Sequence, residues 1–132
     1  VLIAYVPKDL LAPFSSKINL LFLAFFSVFG LIFSSKIYTL FQCLLLVITL
    51  IYHIRFTKVQ YLGRFYAAYA ICLIPFLIMN GFLTSLPIVI YNDAYNSGIR
   101  IGTIPLEDSF YCLLLLLVNI TIYERFKKAA SR

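Results

Sequence analysis

The chain has 132 residues, of which 63% are hydrophobic and only 12% are charged, and its formal net charge is +6. Soluble domains carry about 25% charged residues, so a soluble fold of this composition could not cover its surface with polar groups. The composition excludes an ordinary soluble domain and indicates that lipid is the solvent for most of the chain.

Four apolar runs are long enough, or nearly so, to cross a bilayer as helices of about 20 residues. They cover Ile18–Ser34, Ile37–Ile54, Phe65–Leu86 and Leu106–Tyr123. The link between the first two runs is so short that these helices must form an antiparallel hairpin. We therefore predict an all-α fold, a polytopic membrane bundle of about four transmembrane helices.

The first residues, Val1–Val6, are apolar but too few to cross, and Pro7-Lys8-Asp9 follows them. This pattern is typical of the end of a preceding helix. We predict a helix tail and linker over residues 1–17, the transmembrane domain over 18–126, and a basic cytoplasmic tail over 127–132. The longest connection, residues 87–105, is rich in turn formers.

The lysines and arginines lie at the edges of the apolar runs and form no basic face, so they indicate topology rather than nucleic-acid binding. With the start of the first span inside, nine of the eleven fall inside and only Lys36 and Arg100 fall outside. The positive-inside rule thus predicts both ends of the bundle in the cytoplasm. An aromatic belt is predicted from tyrosines near the run ends, namely Tyr38, Tyr61, Tyr66, Tyr91 and Tyr123.

Little in the sequence points to a cofactor. The cysteines, all inside apolar runs, are predicted to be small apolar core residues, and His53 has no metal partner nearby in sequence. Nucleotide-binding loops, zinc motifs and nucleophile elbows are absent from the sequence, so no cofactor and no metal is predicted. Asn119 falls within the fourth span, where we expect it to hydrogen-bond another helix.

Glu107 and Asp108 occupy the first turn of the fourth span, directly after Pro105. One interpretation is helix-start chemistry, because proline and acidic residues favour the first turn of a helix. The other is function, because a carboxylate at the edge of hydrocarbon is costly and is usually retained for a purpose. These residues alone leave both interpretations open.

Helix geometry predicts what lies near this pair. Adjacent residues are about 100° apart on a helix, so Glu107 and Asp108 need not face the same neighbour. Asn80 lies near the same membrane face at the end of the third span, with Tyr69 and Phe76 beneath it. We expect these groups to meet at one end of the bundle, above aromatic side chains.

Two segments resemble a known family. The first carries LGRFY at 62–66, IPF at 74–76 and NG at 80–81, and the second carries YND at 91–93 and GIRIGTIPLEDSFY at 98–111. Together they resemble the membrane-embedded lycopene cyclases of bacterial carotenoid pathways, over roughly residues 37–126. The match is to the C-terminal segment of that family.

The resemblance implies a carotenoid cyclase that closes the linear ends of lycopene into ionone rings by redox-neutral acid catalysis, without a redox cofactor. Glu107 and Asp108 would be the catalytic acids, and Glu107 in a low-dielectric site could hold a proton at neutral pH. The residues expected to contact the substrate are Asn80, Asp93, Arg100, Tyr69, Phe76, Phe110 and Tyr111.

The family usually carries two such segments, each with its own Pro-x-Glu motif, whereas this chain has one. The resemblance therefore implies a second cyclase segment or subunit, identical or different, in a bacterial cytoplasmic membrane, with carotenoid and lipid as further partners. Gly81, Cys112 and Asn119 are candidates for the contact with that second segment, which we call the joint. Two alternatives remain: a non-catalytic scaffold or partner subunit, and a small dimeric transporter that uses Glu107 for proton coupling.

Overall fold

The computed structural model describes residues 12–56, 61–86 and 88–130. Four long helices account for most of them: α1 (Ala12–Ile32), α2 (Ile37–Phe56), α3 (Leu62–Ser85) and α4 (Leu106–Ala130). Each of the four is long and apolar enough to cross a membrane, which confirms the predicted all-α membrane bundle. The predicted helix tail at Val1–Val6 lies outside the described residues.

The helices extend beyond the apolar runs that predicted them. Helix α1 begins at Ala12, so the last part of the predicted linker is helical, and α4 continues to Ala130 instead of ending near Tyr123. Lys17 and Lys127 are exposed in these extensions. Because lysine is a good helix former, a helix can continue past the hydrocarbon, and hydropathy does not mark its ends.

The four helices form a closed ring in the order α1, α2, α4, α3. Helix α1 packs against α2 and α3, and α4 packs against the same two helices. Gly30 on α1 faces Cys43 on α2, where an added Cβ atom would lie 3.0 Å from the Cys43 Cβ. The glycine therefore permits the close approach of α1 and α2. The bundle core is filled mainly by Phe26, Leu46, Leu50, Leu113 and Leu117.

Helix α3 is the least covered of the four. Its buried residues are confined to its first two turns, at Leu62–Tyr66, and Pro75 lies within the continuous helix. The rest of its surface presents apolar side chains outward, among them Ile71, Ile74, Ile78, Met79 and Phe82. In a membrane these side chains contact lipid or another protein.

A short antiparallel hairpin ends the long connection and leads into α4. Strand β1 (Arg100–Ile101) pairs with β2 (Ile104–Pro105), and the turn between them begins with Gly102 at a φ of 63°. A positive φ is readily adopted only by glycine, which explains the residue at this turn. The backbone N–H of Leu106 donates to the Ile99 carbonyl at 2.9 Å. The hairpin thereby fixes where α4 starts.

Candidate functional site

The start of α2, the end of α3, the start of α4 and the connection between α3 and α4 meet at one end of the bundle, which we call the polar end. The acid pair, Glu107 and Asp108, lies here in the first turn of α4. Glu107 is fully buried, and Asp108 is 5% exposed. Neither carboxylate forms an ion pair within the described part of the chain. Two buried acids without a directly paired cation are costly, so each needs hydrogen bonds.

Glu107 is held by α2 and by the connection before α4. Its Oε1 atom accepts a hydrogen bond from the Thr39 hydroxyl at 2.5 Å and another from the Ser97 backbone N–H at 2.6 Å. The Gln42 amide donates to the Glu107 backbone carbonyl at 2.7 Å. The Oε2 atom is buried and has no hydrogen-bond partner among the described residues. One oxygen is thus fixed, and the other is left for a further contact.

Asp108 is held by different elements. Its Oδ2 atom accepts a hydrogen bond from the Asn80 amide on α3 at 3.0 Å and one from the Tyr91 hydroxyl at 2.7 Å. Below them, the Tyr69 hydroxyl donates to the Ser109 carbonyl at 2.9 Å. Asn80, Tyr69 and the acid pair are therefore brought together at the polar end. The two acids face different neighbours, as expected from their angle on the helix.

Asp93 and Arg100 lie elsewhere, on the outer surface of the polar end. They form an ion pair at 2.5 Å, with side chains that are 55% and 31% exposed respectively. The Lys36 ammonium donates to the Asp93 carbonyl at 2.7 Å. These contacts fasten the connection to the turn between α1 and α2. Neither Asp93 nor Arg100 hydrogen-bonds the acid pair in the described structure.

The aromatic side chains near the acid pair come largely from α1. Phe110 is buried and packs edge-on against Phe25, Phe26 and Phe29, with ring centroids 5.8, 5.0 and 5.5 Å away. Phe76 is only half-buried, and Tyr111 is exposed on the outside of α4. An apolar groove of about 400 Å³ lies beside this cluster, lined by Leu21, Ala24, Phe25, Val28, Phe29 and Ile32.

Several residues around the acids were not predicted. Tyr91 was expected in an aromatic belt, but its hydroxyl donates to Asp108. Tyr66, also expected in the belt, is buried at the opposite end of the bundle and donates to the Asn19 side chain. Thr39 and Gln42 are polar residues three positions apart in an apolar run, so they share one helix face. That spacing is a signal that could have identified them. Ser97 contacts Glu107 through its backbone N–H, so the identity of its side chain does not indicate this contact.

The structure places the three residues proposed for the joint in different surroundings. Asn119 is exposed and makes no hydrogen bond within the described residues, because it lies on the opposite side of α4 from buried Leu117. The bond that we expect from Asn119 to another helix is therefore not made among the described residues of this chain. Cys112 is buried inside the bundle, so it is not available as a joint. At Gly81, an added Cβ would lie 3.8 Å from the Ile104 side chain of the same chain.

The fold and the site define a multi-pass membrane protein with two adjacent carboxyl groups buried at one end of its helix bundle. A comparison with protein families matches residues 35–126, more than half of the chain, to the family described as lycopene cyclase. The chain belongs to the lycopene cyclase family. Comparisons with curated proteins and with solved structures gave no significant match.

Proposed function

We propose that this chain is a carotenoid cyclase domain that converts the linear ends of lycopene into ionone rings. It acts in a bacterial cytoplasmic membrane and requires a second cyclase segment or subunit. The observation that carries the proposal is the acid pair, buried at the polar end of a membrane bundle whose sequence belongs to the lycopene cyclase family.

The reaction needs a proton donor and a proton acceptor, and two carboxyl groups can fill both roles. One carboxylic acid gives its proton to the terminal double bond of lycopene, which leaves a carbocation. The electron pair of the next double bond forms the ring bond, and loss of a proton from the new cation restores a double bond. No atom is gained or lost overall, and no oxidant or reductant is consumed.

The hydrogen bonds of Glu107 support its role as the donor. Oε1 already accepts two hydrogen bonds, so the proton of the acid form would lie on Oε2. Oε2 has no partner among the described residues and is the atom from which a proton can be handed on. Asp108, one residue further along α4, is the second member of the pair.

The aromatic cluster supports the cationic step. Phe110 follows Glu107 by three residues, about 4.5 Å along the helix axis, and contacts the rings of Phe25 and Phe29. The faces of aromatic rings attract cations, and an apolar groove excludes the water that would capture a carbocation. In the proposed complex, the groove beside these rings holds one end of the polyene.

A non-catalytic scaffold or partner subunit is the second candidate. Both acids accept hydrogen bonds that join α4 to other elements, through Thr39, Ser97 and Asn80. Acidic residues in the first turn after a proline also favour helix initiation. A structural role of these contacts would be enough to explain why the two acids are present.

Pigment analysis of lycopene-accumulating bacterial cells tests the proposal. The chain is expressed alone and with a first cyclase segment, and the cyclic carotenoids are quantified. Glu107→Gln keeps the size of the side chain but removes the transferable proton, so ring formation should fall by about 100-fold or more at unchanged membrane levels. Glu124→Gln, at the opposite end of the same helix, is the matched control and should retain activity.

The outcomes separate the candidates. Normal cyclisation by both Glu107→Gln and Asp108→Asn would mean that the two acids only favour the start of the helix. The scaffold or partner subunit would then be the favoured function. Strong cyclisation by the wild-type chain as a monomer would contradict the need for a second segment. Among the proposed joint residues, Asn119 is the one whose side chain faces outward in the middle of a span, where a partner helix could meet it.

A further inference from the structure

Tyr91 lies between the acid pair and the surface of the polar end. Its hydroxyl donates to Asp108 Oδ2 at 2.7 Å, and the residue is half-buried. Its side chain also lines a cavity of about 210 Å³, together with Tyr38, Ile90, Asn92, Tyr95 and Asn96. Tyr91 thus contacts a buried carboxyl and also lines a cavity.

The cavity lies at the polar end, between the connection and the start of α2. Asn92 and Tyr95 in its wall are exposed, and the exposed ion pair of Asp93 and Arg100 lies on the same connection. A volume of this size with polar lining groups has room for several waters, since one water needs about 30 Å³. Water can therefore come within reach of the Tyr91 hydroxyl without entering the apolar part of the bundle.

A tyrosine hydroxyl can donate one hydrogen bond while accepting another. Burial, together with the hydrogen bond to Asp108, raises the pKa of Tyr91, so the residue keeps its hydroxyl proton at neutral pH. In this arrangement the donated bond is directed to Asp108, and the oxygen lone pairs remain for water. These are the properties of a group that passes protons on without becoming charged.

We propose that Tyr91 relays protons between water in this cavity and Asp108, and that the proton used for ring closure exchanges with the aqueous phase at the polar end. The inference rests on the proposed cyclase function. When Asp108 is ionised, the hydroxyl proton of Tyr91 moves to Oδ2 while a water gives a proton to the tyrosine oxygen. Asp108 then passes a proton to Glu107, the other member of the acid pair, so that the proposed donor is protonated again after each ring closure. The proton released when the ring double bond forms leaves by the reverse route, so the net balance is zero.

The experiment follows deuterium into the product. Membranes containing the active cyclase with its partner segment are equilibrated in H₂O, diluted rapidly into D₂O and supplied with lycopene. Deuterium per new ring is then measured by mass spectrometry over successive turnovers. The wild type should incorporate one solvent deuterium per ring within the first few turnovers. Tyr91→Phe should lower kcat about tenfold or more at unchanged KM, since positioned proton transfer contributes about 10²–10⁴-fold.

The label distinguishes a relay from a structural role. Rings made by Tyr91→Phe should carry less deuterium than wild-type rings at equal turnover number, which a loss of packing alone would not produce. Tyr123→Phe, at the opposite end of α4, should match the wild type in rate and label. Wild-type rings that stay unlabelled, or Tyr91→Phe rings labelled and formed at the wild-type rate, would overturn the relay. Absence of any ring formation by the wild type would instead overturn the proposed function.

Discussion

The position of the Glu107 carboxyl depends on a residue 68 positions away in the sequence. Thr39 is fully buried at the start of α2, and its hydroxyl donates to Glu107 Oε1 at 2.5 Å. Threonine is β-branched and has few χ1 rotamers in a helix, so this bond selects one of a small number of hydroxyl directions. The hydrogen bond therefore holds one oxygen of the carboxyl in place. The planar geometry of the carboxyl group then determines the direction of the other oxygen.

Replacement of Thr39 by valine tests this hydrogen bond, because it exchanges only the hydroxyl group for a methyl group. Thr39→Val keeps the shape of the side chain but leaves Oε1 with the Ser97 N–H alone. We expect cyclisation to slow about fivefold to tenfold, and the free energy of unfolding to fall by about 1–2 kcal/mol, the cost of a lost buried hydrogen bond.

Thr49→Val is the matched control on the same helix. The Thr49 hydroxyl donates to the carbonyl of Leu45 within its own helix, at 2.8 Å, and contacts no acid. Its replacement should leave the cyclisation rate close to that of the wild type. Equal slowing by both substitutions would mean that Thr39 contributes packing only.

At the scale of the helices, the sequence predicted which segments cross the membrane but not how they are rotated. Hydropathy located all four spans because burial in lipid requires long apolar runs. It did not predict that Thr39 and Gln42 contact Glu107, because these partners lie 68 and 65 residues away and depend on how α2 and α4 pack. The acid pair itself was predicted, since charged residues stand out in an apolar chain.

Burial along one face of α4 is a second feature that the sequence could not predict. The residues Asp108, Cys112, Leu115 and Asn119 follow one another at helical spacing and share a face of α4. Asp108 and Cys112 are buried, whereas Leu115 and Asn119 are exposed. The connection between α3 and α4 covers this face only near the polar end, where Tyr91 reaches Asp108. A periodic pattern cannot predict where a neighbouring element ends.

The close approach of α1 and α2 at Gly30 gives a prediction about packing. A leucine at position 30 would collide with Cys43, because even a Cβ atom would lie 3.0 Å from the Cys43 Cβ. We expect Gly30→Leu to destabilise the bundle by about 1–3 kcal/mol, the usual cost of overpacking. Thermal unfolding in detergent, followed by circular dichroism, measures the loss.

Ala24→Leu provides the control for added volume on the same helix. Ala24 is exposed, so a larger side chain there meets open space rather than α2. The thermal midpoint of this variant should stay close to that of the wild type. A midpoint for Gly30→Leu that also stays unchanged would show that α1 and α2 do not approach each other this closely.

At the scale of the whole molecule, the basic residues separate the two ends of the bundle. Lys36 and Arg100 both lie at the polar end and both contact Asp93. The other end carries five basic residues, Lys17, Arg55, Arg64, Arg125 and Lys127. This distribution predicts that the acid pair lies near the outer face of the membrane.

Cysteine labelling in intact cells tests the orientation. Ala94 is exposed at the polar end and Lys127 at the other end, and the native cysteines lie within the spans. A membrane-impermeant maleimide should label Ala94→Cys from outside, and Lys127→Cys only after permeabilisation. The reverse pattern would invert the orientation and move the Tyr91 cavity to the cytoplasmic side.

Under the proposed function, the open surface of α3 has a consequence for how the chain meets lycopene. Its outward side chains are apolar, so they contact acyl chains, the same phase in which a carotenoid dissolves. Encounter then occurs by lateral diffusion in the plane of the bilayer, without passage through water. The concentration that governs the rate is therefore the mole fraction of lycopene in the lipid. A KM for the proposed cyclase has meaning only as a surface concentration, and diluting the membrane with lipid at constant total lycopene should slow turnover.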